Sequence, residues 1–60
     1  MDRWMNVELE TLNGNAKMFK DFLHNKGIPF EASAAENLIH FEVLIKLSQV
    51  KEVNDFLMSL

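Results

Sequence analysis

Apolar and polar residues alternate along three stretches of this chain and recur every three or four residues along two others. The strongest alternation is Leu38 to Leu47, where Ile39, Phe41, Val43, Ile45 and Leu47 occupy every second position without a break. Period two puts alternate side chains on one face of a strand. Ile39, Val43 and Ile45 are β-branched and keep more rotamer freedom on a pleat than in a helix, so this stretch reads as the strand around which the rest is arranged. Its other face, Leu38, His40, Glu42, Leu44 and Lys46, is mixed and only half committed to water.

Trp4 to Leu12 has two readings. As a strand, Met5, Val7, Leu9 and Thr11 face inward while Asn6, Glu8 and Glu10 face water. As a helix, Asp2 caps a stripe of Met5, Leu9 and Leu12 that Gly14 ends. The strand is preferred because Val7 and Thr11 favour a pleated surface. Asn15 then reads as the N-cap of a helix over Ala16 to Lys26, with Ala16, Phe19, Phe22 and Leu23 on its buried face. Gly27, Ile28 and Pro29 supply a left-handed cap, an apolar residue to fold back, and a stop.

Ile28 to Ser33 alternates as a short strand, and Pro29 places it at a sheet edge. Ala34 to Asn37 turns it into the Leu38 strand as an antiparallel hairpin, with Asn37 suited to left-handed backbone. Ser48 is a candidate N-cap for a last helix that buries Val50, Val53, Leu57 and Leu60 and runs to the end of the chain. The methionines read as core filler, with Met18 at the border of its helix face.

The order β-α-β-β-α gives an α+β fold in one small domain, residues 1–60, with a three-stranded antiparallel sheet and two helices on one face. It matches a truncated ferredoxin-like split βαβ unit that lacks its final strand. In that arrangement the Leu38 strand is central, and the N-terminal strand, which the missing strand would have paired, keeps an open edge.

Composition sharpens this picture at two points. Sixty residues bury only about 60% of their unfolded surface, and chains this short usually gain stability from a cross-link, a metal or a partner. Cysteine is absent, so disulfides and thiolate metal sites are excluded and self-association becomes the expected supplement. With nine acidic against six basic residues the net charge is −3, which disfavours binding to phosphate backbones. No apolar run nears the roughly 20 residues of a membrane span, and the expected location is the cytoplasm.

Candidate chemistry is sparse. His40 and Glu42 lie two apart on one strand and point the same way, a geometry open to a metal ion but also to a solvated pair. His24 sits in the last turn of a helix, where a positive charge suits the dipole. Ser33 and Ser48 lack a nucleophile elbow, and Asn13-Gly14-Asn15 is not a phosphate loop. No catalytic residue, cofactor or metal is expected.

The strand order resembles an ACT-type regulatory domain without its last strand. The αββα portion is superficially similar to small toxins of the double-stranded-RNA-binding-like class, without their Gly-Ser-His-like strand motif or basic surface. The leading expectation is a non-enzymatic protein-binding module, an acidic homodimer that inhibits, neutralises or adapts a partner protein. Trp4, Met5, Val7, Leu38, His40 and Leu44 are the expected interface. An ACT-like sensor of a small molecule is the alternative, and a nucleic-acid-associated regulator the third.

Overall fold

The structure, a computed structural model, describes residues 2–60. Trp4–Leu12 forms β1, Asn13–Asn25 forms α1, Phe30–Ala35 forms β2 and Leu38–Lys46 forms β3; a 3-10 turn over Leu47–Gln49 leads into α2, Val50–Met58. The strands make one sheet in the order β1-β3-β2, with β3 antiparallel to both neighbours. The protein is thus α+β with β3 at the centre, and the strand reading of Trp4 to Leu12 holds.

Alternation in β3 decides the layering. Phe41, Val43 and Ile45 are buried on one face and join Ala16, Phe19 and Leu23 of α1, Ile28, and Val53 of α2 in a single core. Phe19 meets Phe41 edge-on at 4.9 Å between ring centres, and Phe22 stacks on Phe56 at 4.2 Å, so one aromatic chain ties both helices to the same side of the sheet. Each such pair contributes about 0.5–1.5 kcal/mol beyond area burial. Lys26 and Glu52 add an ion pair between the helices.

The end of α1 follows its sequence signal closely. Gly27 has φ +68°, its amide donates to the His24 carbonyl at 3.1 Å, and the Ile28 amide reaches the Leu23 carbonyl at 2.9 Å. These are the two bonds of a Schellman cap, and Ile28 and Leu23 are both buried beside it. Because Ile28 is used in this way, β2 begins at Phe30 rather than Ile28. The Pro29 carbonyl still accepts the Leu44 amide at 3.0 Å, so proline contributes its acceptor to the ladder where it has no donor to give.

Four local expectations need correction. Helix α1 starts at Asn13, not Ala16, and Asn15 is not its cap; no side chain caps this end. The Asn13 amide instead donates to the Asn37 carbonyl in the β2–β3 turn, 3.0 Å away, which lets the helix begin directly off β1. That turn is Glu36-Asn37, and its left-handed residue is Glu36, at φ 55°, not Asn37. Ser48 lies inside the 3-10 turn, where its amide and hydroxyl both donate to the Asp2 carboxylate at 3.1 and 2.6 Å, so Ser48 is the capped residue and not the cap. Strand β3 accordingly ends at Lys46, and Leu47 is exposed instead of extending the core row.

Met5 and Met58 are exposed, against their reading as core filler, and Met18, read at the border of its helix face, is exposed as well; Met1 lies outside the described residues. Helix α2 stops at Met58, two residues short of the end. No helix among the described residues is long and apolar enough to cross a membrane.

Candidate functional site: the open sheet face and the β1 edge

With both helices on one side, the other side of the sheet is left open, and the pairing register fixes what it carries. Across β1, β3 and β2 its rows read Asn6-Leu44, Glu8-Glu42-Glu31, Glu10-His40-Ser33 and Leu12-Leu38-Ala35, with Trp4 beside Lys46 at one corner. The apolar residues therefore sit at the two ends and the carboxylates in the middle.

At the first end Trp4 is 57% exposed, and the Lys46 ammonium lies 5.2 Å from its ring centre, a cation–π contact. Leu44, also exposed, is a diagonal neighbour of Trp4 across the β1–β3 pair. Leu38 lies at the opposite end of β3, six residues and about 20 Å from Leu44, and is half-buried beside Leu12. Met5 and Val7 are on the helix side, where Val7 packs against the core and Met5 stays partly exposed. The six expected interface residues thus fall into three places: Trp4 with Leu44, Leu38 with His40 along β3, and Met5 with Val7 at the β1 edge.

The middle of the face brings Glu8 to the pair already read from the sequence. Ligating atoms of Glu8, His40 and Glu42 lie within 4.8 Å of one another. An imidazole with two carboxylates suits a first-row divalent ion, but two donors about 2.1 Å from one ion span at most roughly 4.2 Å. These side chains would have to close around a cation before they formed a coordination shell. As they stand, they are a carboxylate row with a histidine beside it. Glu8 could not be assigned from spacing, because it arrives through the β1–β3 register, which is a long-range property.

The alternation of amides along β1 follows from three bonds. Leu44 donates toward β2, whereas Leu47 donates to the Arg3 carbonyl at 2.7 Å and Asn13 to the Asn37 carbonyl. Even-numbered residues of β3 therefore point their amides toward β2, and odd-numbered residues of β1 and β3 pair with each other. The amides of Asn6, Glu8 and Glu10 consequently point away from the sheet. No strand lies on that side among the described residues.

Near the start of β1, the Asp2 carboxyl is held below its ordinary range, first by the Ser48 hydroxyl and then by the Ser48 amide, with Lys46 adding a smaller attraction. This contact and the Arg3–Leu47 bond anchor one end of β1, while the Asn13–Asn37 bond anchors the other. A nine-residue edge strand is thus presented as a fixed ruler rather than a loose arm. No family model matches this chain, and neither a curated protein nor a solved structure matches it.

Proposed function

We propose that this protein is a non-enzymatic protein-binding module that works as a small acidic homodimer and inhibits, neutralises or adapts a partner protein. The observation that carries the reading is the outer edge of β1, a row of outward amides and carbonyls on a strand anchored at both ends. Such an edge is a template for another strand. The arrangement supports a ferredoxin-like split βαβ reading with its fourth strand absent: β1 and β2 run in the same direction with β3 between them, and the absent strand would lie against β1. A second subunit supplies in trans what that strand would supply in cis. Core size argues the same way, since only eight apolar side chains are buried among the described residues and a domain this small is stabilised by association.

Sedimentation equilibrium over a wide concentration range tests the reading, with Asn6→Pro as the matched variant. Proline at Asn6 removes an outward amide and leaves the β1–β3 bonds in place. A dimer that Asn6→Pro dissociates while far-UV circular dichroism is unchanged supports the proposal. A wild-type monomer at every concentration refutes it.

A further inference from the structure

The sequence of β1 has a symmetry that its place at the sheet edge turns into a prediction. On the helix side its residues read Met5, Val7, Leu9, apolar in both directions from Val7; on the open side they read Trp4, Asn6, Glu8, Glu10. We infer that the partner of this edge is a second copy of β1, paired antiparallel about a two-fold axis through Val7. The inference rests on the self-association reading above and assigns its register.

Geometry restricts the choices. The outward amides belong to even-numbered residues, so an added antiparallel strand exchanges bonds between even positions of both copies, and odd positions face each other as the closer, non-bonded pairs. A self-pairing strand can therefore slide only in discrete steps, each with its own axis. Charge and the length of strand engaged then select among them: like charges directly opposite each other are unfavourable, and axes on Trp4 or Thr11 avoid such pairs only by leaving most of β1 unpaired.

An axis on Glu8 sets Glu8 against its own copy. Placing it on Leu9 sets Glu8 against Glu10 twice, and placing it on Asn6 sets Glu10 against Asp2 twice; on Met5, Glu8 meets Asp2. An axis on Val7 avoids every such clash: Glu8 faces Asn6, Glu10 faces Trp4, and Asp2 faces Leu12. It also engages the whole of β1. On the helix side the same register sets Met5 against Leu9 and Val7 against Val7, an apolar row that continues the core across the axis. Met5, 38% exposed, and the half-buried Val7 and Leu9 would be covered by that row. The result is one continuous six-stranded sheet with all four helices on one side, its open face carrying Glu8 and Asn6 alternately across the junction.

Single cysteines in this cysteine-free chain read the register directly. Val7→Cys places two thiols across the axis as a non-bonded pair about 4.5 Å apart at Cα, within disulfide reach. Under mild oxidation it is expected to form a covalent dimer. Met5→Cys and Leu9→Cys are each expected to stay uncrosslinked alone, since like positions are four residues or about 13 Å out of register, and to crosslink when mixed. A charge test accompanies this. Asn6→Lys sets an ammonium group against Glu8 twice, and at about 0.2–1 kcal/mol per pair it should tighten the dimer roughly two- to thirtyfold at low salt; with an axis on Asn6 the same change would weaken it.

A dimer in which Val7→Cys crosslinks, or in which only the Met5→Cys and Leu9→Cys mixture does, with Asn6→Lys tightening association, supports the assignment. A wild-type dimer that gives neither crosslink, or that Asn6→Lys weakens, overturns the register and leaves the self-association reading standing. A wild-type monomer overturns both.

Discussion

Thr11 is the one buried polar residue whose hydroxyl has no partner among the described residues: its side chain is 6% exposed, on the helix side of β1 opposite Ile39. Replacing it with valine exchanges that hydroxyl for a methyl of nearly the same shape and keeps a β-branched strand former. An unsatisfied buried hydroxyl costs about 1–3 kcal/mol, and the added methyl is buried, so Thr11→Val should stabilise the fold by about 1 kcal/mol or more. In a chain of this size about 1 kcal/mol moves Tm by roughly 8 °C. Thr11→Ser keeps the hydroxyl and loses the methyl, and should destabilise by about 1 kcal/mol. Urea titration measures both, at one fixed protein concentration because association shifts apparent stability, with equal m-values as the sign that compactness is unchanged. If Thr11→Val unfolds at the same or lower urea than the wild type, the hydroxyl is satisfied in solution and the reasoning from burial is wrong.

Other features of the structure give predictions of similar size. Glu36 holds a left-handed conformation that an L side chain adopts at a cost of about 1–2 kcal/mol; Glu36→Gly, after glycine's own entropy loss, should raise stability by about 0.5–1 kcal/mol in the same titration. Glu42 lies between Glu8 and Glu31 on neighbouring strands, so Glu42→Gln should stabilise by a few tenths to about 1 kcal/mol at low salt, and the gain should shrink when salt is raised. Asp2 has its carboxyl lowered in the fold by the Ser48 hydroxyl and amide, so its contribution is fully present above its unfolded value of about 3.9 and is lost as pH falls through the lower folded value. Unfolding midpoints followed from pH 6 to pH 2 should therefore fall less steeply at the acid end for Asp2→Ala than for the wild type.

Sequence pattern was most informative where a structural choice depended on neighbours in the chain. Alternation marks β3 as a strand, the strand propensity of Val7 and Thr11 decides β1 against a helical stripe that its spacing also allows, and Gly27, Ile28 and Pro29 announce the end of α1 because a Schellman cap closes within one turn. It failed where a distant group took over a local role. Asn15 looks like a cap, but the leading amide of α1, that of Asn13, is taken by the Asn37 carbonyl, which frees the helix to begin at Asn13. Ser48 looks like a cap for the same reason, and the carboxylate of Asp2, 46 residues earlier, makes it the donor. Asn37 has the better turn propensity, yet the two-residue hairpin sets the left-handed position one residue earlier, at Glu36. The open face shows the same division: His40 and Glu42 are neighbours by strand period, whereas Glu8 joins them only through register.

The alternating amides of β1 carry a consequence for solvent exchange. Amide protons at Val7 and Leu9 are held inside the sheet and should exchange with deuterium only when β1 opens, whereas those of Asn6, Glu8 and Glu10 face outward. A single strand thus contains two interleaved clocks, one set by the stability of the subunit and one by whatever occupies its edge. In a monomer the even clock runs fast and the odd clock slow; edge pairing slows the even residues while leaving the odd ones governed by the fold. Residue-by-residue exchange along β1 therefore separates folding from assembly within one experiment.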